Sequence, residues 1–212
     1  MKVKICGITT EEAARTACDY GADLLGFVFA SSTREITVER AREIIKKLPR
    51  HVKTVGVFVN ETYEKIIQTA EIAGLDYIQL HGDESAEFCR KIALPVIKAF
   101  SIKDSSDLDP LGNYDCAYYL LDSPGLKFRG GSGIPIDWSL LIDQTIPREK
   151  VILAGGLNEA NVMEAIKKVR PYCVDVSSGV ETDGKKDAEK IALFIKKAKH
   201  EESDKIDSLH ST

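Results

Sequence analysis

The sequence predicts a single-domain α/β protein, a (β/α)8 barrel. Two observations predict it. Eight short runs rich in Val, Ile and Leu occur along the chain, and stretches with helical spacing separate them. The runs are Val3–Cys6, Leu24–Phe29, Thr54–Val59, Tyr77–Leu80, Val96–Ala99, Ala117–Leu121, Val151–Leu153 and Val174–Val176. They are continuous rather than alternating, as strands covered on both faces are. Eight β/α units in 212 residues lie at the short end of the size range for such barrels. A doubly wound open sheet is the rival. It loses its main support because no Gly-x-Gly-x-x-Gly follows the first strand.

The elements follow in order. The first run stops at Cys6-Gly7 and passes into a helical pattern, with Thr9 or Thr10 before Glu11 as the start signal. After the second strand, Val38, Ala41, Ile44, Ile45 and Leu48 share one helix face. After the third, Asn60 before Glu61 signals a helix start, and Tyr63, Ile66, Ile67 and Ala70 form its apolar face. Val162, Ala165, Ile166 and Val169 do the same after the seventh strand, and Ala188, Ile191, Ala192 and Ile195 after the eighth. The segment 123–137 is the longest irregular stretch and carries Pro124, Gly125, Gly130, Gly131, Gly133 and Pro135. A loop of that length in a compact domain is functional or disordered. From His200 onward the chain is polar without apolar periodicity. The expected domain is therefore 1–199, with a frayed or disordered tail at 200–212.

Composition excludes several classes. A net charge of -4 argues against a nucleic-acid partner, which calls for a clustered basic excess. No apolar run approaches the roughly 18 residues that span a bilayer. No secretory h-region precedes the first strand, so the expected compartment is the cytoplasm. The five cysteines are Cys6, Cys18, Cys89, Cys116 and Cys173; the odd count without Cys-x-x-Cys suits free thiols. No His lies at metal-ligand spacing from a Cys or another His, so no metal is expected. A monomer and a homodimer are both compatible with this composition.

In a barrel of this kind the residues just after the strands share one face. Here they include Cys6, Arg34, His81, Asp122, Gly155-Gly156 and Ser177-Ser178-Gly179. The loops after strands seven and eight are the recurrent phosphate site of this architecture, and glycine lets backbone amides approach an anion. Gly155, Gly156, Ser178 and Gly179 are therefore candidate phosphate binders, or else they only make tight turns. Asp122 at the mouth of an apolar strand is either a general acid or a turn carboxylate. Cys6 is either a base or a small buried hydrophobe; as a base it needs a nearby cation or amide dipoles, which Gly7 and the first helix could supply. The other four cysteines are assigned to the core. Arg34 either docks a substrate carboxylate or is a solvated loop residue. His81 lines the pocket or bonds within its loop. Lys98, inside an apolar strand, is a Schiff-base nucleophile or pairs with a carboxylate.

The segments KICGIT at 4–9, GFVF at 26–29, STR at 32–34, VGVFVN at 55–60 and QLHG at 79–82 resemble those of the phosphoribosylanthranilate isomerases of tryptophan biosynthesis. LLDS at 120–123, GGSG at 130–133, LAGGL at 153–157 and VDVSSGVE at 174–181 continue the match in order. The resemblance runs from Lys2 to about Lys197 and leaves out the tail. It implies a (β/α)8 barrel without a cofactor, acting on a small phosphosugar by an Amadori rearrangement. It also implies Cys6 as general base, Asp122 as general acid, Arg34 at the anthranilate carboxylate and His81 in the pocket. Two other readings compete. One is a phosphosugar aldolase with a Schiff base on Lys98. The other is a non-catalytic phosphometabolite-binding barrel, which has no need of Cys6 and Asp122 together.

Overall fold

The computed structural model describes residues 1–124, 136–142 and 146–209, with side chains to position 199. Eight parallel strands close into a barrel in sequence order. They are β1 (Lys2–Cys6), β2 (Leu24–Val28), β3 (Lys53–Phe58), β4 (Tyr77–Leu80), β5 (Val96–Ser101), β6 (Tyr118–Asp122), β7 (Val151–Leu153) and β8 (Cys173–Val176). Closure is direct: β1 pairs with β8 from Lys2↔Cys173 to Ile5↔Val176. All eight apolar runs are strands.

Among the described residues, six α-helices surround the barrel: α1 (Glu11–Asp19), α2 (Val38–Ile45), α3 (Tyr63–Ala73), α4 (Ala86–Lys91), α5 (Val162–Val169) and α6 (Ala188–Leu209). Thr10 caps α1 by accepting from the Ala13 amide. The expected start at Asn60 is displaced: Thr62 caps α3, while Asn60 takes a left-handed φ of 52°. Asn60 Oδ1 accepts instead from the Asp83 amide. Among the described residues after β5 and β6, the helical layer consists of 3₁₀ turns at Ser105–Asn113, Trp138–Leu141 and Arg148–Lys150. The first of these contains Pro110 and opens with an Asp104/Asp107 capping box. Ser, Asp, Gly and Pro are poor formers of α-helix interiors, which explains the tighter turns. The last helix does not stop at 199 but continues to Leu209; extending an existing helix through residues such as Glu and Lys needs no new nucleus. The glycines and Pro135 of the 123–137 loop fall outside the described residues.

Strand alternation sorts the side chains into two cores. Val3, Ile5, Leu25, Phe27, Ile78, Leu121 and Val174 face the helices. Leu24, Val55, Ile97, Ala99, Leu120, Ile152, Ala154 and Cys173 fill the barrel. That inner register continues upward on each strand. Lys4 and Cys6 share a face, as do Gln79 and His81, Leu120 and Asp122, and Asp175 and Ser177. The polar residues therefore sit on the last inward positions at the C-terminal mouth. Among the described residues, no helix is long and apolar enough to cross a membrane.

Candidate active site

Cys6, Arg34, His81 and Asp122 converge on one cavity of about 630 Å³, which Gln79, Asp175 and Ser177 also line. A neighbouring cavity of about 570 Å³ shares His81 and Asp122 and extends toward β5. Cys6 and Asp122 come from strands that are not neighbours in the barrel, so they approach the space from different sides.

Cys6 is buried, at 7% exposure. Burial pushes its thiol pKa up, the Lys4 ammonium pulls it down, Asp175 raises it and Lys186 lowers it, with a net upward shift. The cations come from Lys4 and Lys186, not from the first turn. The Gly7 and Ile8 amides both donate to the Gly26 carbonyl at 2.9 Å, so they are not free to face the sulfur. Lys4 is wholly buried and pairs with Asp175 at 2.9 Å. Gly26 makes room for this pair. A Cβ there would lie 2.8 Å from Cys6 Sγ and 3.1 Å from Lys4 Nζ.

Arg34 is held rather than free. Its Nε donates to Glu181 Oε1 at 2.7 Å and its Nη2 to Oε2 at 2.8 Å. Lys186 donates to the same carboxylate at 2.6 Å. Burial pushes the Glu181 carboxyl up, but the bonds from Arg34 and Lys186 outweigh it and hold the pKa below its ordinary value. Glu181 and Lys186 lie on a small antiparallel hairpin, β9 (Glu181–Thr182) with β10 (Lys185–Lys186). Arg34 packs over Gly7, whose φ of +79° and missing Cβ allow the approach; a Cβ would lie 2.6 Å from Arg34 Cδ.

Asp122 is buried; its Oδ1 accepts from the Ser123 amide at 2.8 Å. Its Oδ2 lies 3.4 Å from His81 Nε2. The other ring nitrogen, Nδ1, is 3.0 Å from Gln79 Nε2. Below His81 the loop is pinned by Glu84, which accepts from the Gly82 and Asn60 amides. Lys98 completes that pin. Its Nζ donates to the carbonyls of Leu80, Gly82 and Ala99 and to Glu84 Oε2 at 2.8–3.3 Å. It stands on the register opposite Ile97 and Ala99, so it points away from the barrel interior. A buried ammonium with four acceptors is a structural cation, not a nucleophile.

The two glycine turns touch each other. Gly155 and Gly156 take φ of 82° and 61°. A Cβ on Gly179 would collide with the Leu157 carbonyl oxygen. Among the described residues, the amides of Gly155, Gly156 and Gly179 donate to no backbone carbonyl. These residues do not line the cavity at Cys6; Ser177, which bonds the Cys6 carbonyl at 3.1 Å, joins the two regions. Cys89, Cys116 and Cys173 are buried and Cys18 is half-buried; all are free thiols. Among the described residues, no cluster of His, Cys, Asp and Glu is arranged to hold a metal.

Five neighbours of the candidate site residues were not singled out in the sequence: Lys4, Gln79, Asp175, Glu181 and Lys186. Lys4, Asp175 and Gln79 carry a signal in retrospect, a polar residue inside an apolar strand. Glu181 carries none, because its position depends on the hairpin after β8.

A family model described as N-(5'phosphoribosyl)anthranilate (PRA) isomerase matches residues 3–197. The chain belongs to this family. It is 55% identical over 198 residues to the N-(5'-phosphoribosyl)anthranilate isomerase of Bacillus cereus, covering 93% of this chain and 98% of that one. The crystal structure of the Thermotoga maritima phosphoribosyl anthranilate isomerase superposes with a TM-score of 0.87 at 45% identity, covering 94% and 99% of the two chains. A phosphoribosyl anthranilate isomerase solved in complex with reduced 1-(o-carboxyphenylamino)-1-deoxyribulose 5-phosphate superposes at 0.84, with 45% identity over 94% of this chain and 99% of that one.

Proposed function

We propose that this chain is a phosphoribosylanthranilate isomerase of tryptophan biosynthesis. It converts N-(5-phospho-β-D-ribosyl)anthranilate to 1-(2-carboxyphenylamino)-1-deoxy-D-ribulose 5-phosphate. The reaction is an aldose–ketose interconversion, an intramolecular redox isomerisation. One observation carries the reading: a thiol and a carboxyl from non-neighbouring strands line one cavity together with a guanidinium.

Asp122, protonated, gives its proton to the ribose ring oxygen. The ring C–O bond breaks as the anilinic nitrogen lone pair forms the iminium. Cys6 thiolate then removes the C2′ proton, and the C–H electrons form the enolamine while the iminium nitrogen regains its pair. Tautomerisation with protonation at C1′ gives the ketone, and the catalytic protons are returned. Positioned acid and base groups contribute roughly 10²–10⁴-fold each. The upward shift of Cys6 lowers its thiolate fraction but strengthens it as a base toward carbon.

Arg34, oriented by Glu181, takes the anthranilate carboxylate with its remaining N–H groups. Gly155, Gly156, Ser178 and Gly179 take the phosphate. The positive-φ turns at Gly155 and Gly156 support this, as do their amides, which among the described residues donate to no backbone carbonyl, and binding energy there fixes the sugar between acid and base. Residues 1–199 form the catalytic unit, which acts in the cytoplasm as a monomer or homodimer without a cofactor.

The test is turnover of freshly made phosphoribosylanthranilate, followed by loss of fluorescence on rearrangement. Cys6→Ala and Asp122→Asn are each expected to lower kcat by at least about 10²-fold with little change in melting temperature. Full turnover by either variant removes the role given to that residue. Arg34→Ala is expected to raise KM, and an unchanged KM removes the carboxylate dock.

A further inference from the structure

His81 meets Asp122 through one ring nitrogen, and the direction of that contact depends on what holds the other. The ring's Nδ1 faces Gln79 Nε2 at 3.0 Å and its Nε2 faces Asp122 Oδ2 at 3.4 Å. Gln79 is almost wholly buried, at 1% exposure. Among the described residues, its Oε1 has no hydrogen-bond partner. Two orientations of the amide are chemically possible. With the NH₂ toward the ring, one buried carbonyl oxygen is left unpaired. With the oxygen toward the ring, a buried NH₂ occupies that unpaired place instead. Orphaned buried N–H donors are rarer and costlier than under-satisfied oxygens, so the first orientation is favoured.

We infer that Gln79 is a positioning residue that fixes His81 in the tautomer with its proton on Nε2, the nitrogen that faces Asp122 Oδ2 at 3.4 Å. A donor at Gln79 requires a lone pair on Nδ1, which leaves the ring proton on Nε2. The backbone cannot turn the ring to escape this. The His81 amide is bonded to the Phe58 carbonyl at 2.8 Å. The next residues are pinned by Glu84 and Lys98.

The consequence rests on the proposed role of Asp122 as general acid. A neutral N–H donor beside the carboxyl stabilises the carboxylate left after Asp122 gives up its proton. Gln79 touches no reacting atom in this scheme; it acts through His81. Its place one pleat below His81 on β4, with both side chains in the inner register, suits that role, and among the described residues no other side chain bonds His81 Nδ1.

The test reads the tautomer directly and does not depend on turnover. The full chain is labelled with ¹⁵N-histidine, and two-bond ¹H–¹⁵N correlations identify which ring nitrogen carries the proton; His81→Asn assigns the signal. Wild type is expected to show a protonated Nε2 and an unprotonated Nδ1. Gln79→Glu supplies only acceptors and is expected to move the proton to Nδ1 or to protonate both nitrogens. Gln79→Met removes the donor and is expected to give averaged signals, with kcat lower on the order of tenfold and KM little changed. A wild-type ring protonated on Nδ1, or a Gln79→Met ring unchanged from wild type, overturns the inference. If neither variant folds, the wild-type spectrum alone decides it. Loss of the proposed function would appear separately, as full turnover in Cys6→Ala or Asp122→Asn.

Discussion

Replacing Lys4 by Met tests how the barrel interior prepares Cys6. The lysine is wholly buried and its ammonium lies 2.9 Å from the nearly buried Asp175. Removing it leaves Asp175 without its cation. Breaking one side of a buried ion pair costs about 3–5 kcal/mol, which for a chain of this length lowers the melting temperature by about 7–11 °C. The second effect is on the thiol. Burial raises the Cys6 pKa most, Lys4 opposes it, and Asp175 adds to the rise. Without Lys4 the two raising influences stand with only Lys186 against them. The pH at which Cys6 becomes reactive must therefore move upward. The assay is the rate of Cys6 alkylation by iodoacetamide against pH, read by mass spectrometry of the Cys6 peptide, beside a thermal melt. A midpoint that stays put or falls would refute the reasoning, even if the melting temperature drops as expected.

Other predictions follow from neighbouring contacts. Glu181→Gln removes the charge that holds Arg34, and KM should rise on the order of tenfold with kcat less affected; steady-state kinetics check it. Lys98→Met leaves Glu84 bonded to the Gly82 and Asn60 amides but without a cation. It should cost about 3–5 kcal/mol in urea unfolding, part of which Lys98→Met with Glu84→Gln restores. Borohydride should trap no substrate on wild-type Lys98. Acid should destabilise the fold through Asp23, Asp76 and Glu181. Burial pushes each carboxyl up, but hydrogen bonds and cations outweigh it and hold all three below their ordinary values. A depressed folded-state pKa gives stability that is complete above the ordinary carboxylate pKa of about 4 and is lost as pH falls through the folded value. Urea midpoints should therefore be flat near neutrality and fall below about pH 4.

The strands and their mouths were legible because they depend on local pattern. Continuous apolar runs mark buried parallel strands, and alternation then sends Cys6, His81 and Asp122 inward from any correct strand assignment. The apolar face of α5 was legible for the same reason, with Val162, Ala165, Ile166 and Val169 all buried. A local signal failed at the start of α3. Asn60 read as the helix start, but its backbone is left-handed and Thr62, two residues on, makes the cap. The Asp- and Pro-containing stretch after β5 made 3₁₀ turns because neither composition nor Pro110 supports an α-helix interior.

The sequence by itself determined the barrel, the set of polar residues at its mouth and the family they resemble. Only the tertiary structure decided what each of them touches. Lys4 and Asp175 are 171 positions apart and meet because β1 closes on β8. Arg34 reaches Glu181 across 147 positions through a hairpin that has no apolar pattern to announce it. Lys98 could be read as a nucleophile or as a carboxylate's partner until the strand register turned it out of the barrel and gave it Glu84 and three carbonyls as acceptors. The physical reason is the same in each case. Side-chain periodicity is written in neighbouring residues, whereas a charge's partner is set by closure and register, which bring together residues distant in sequence.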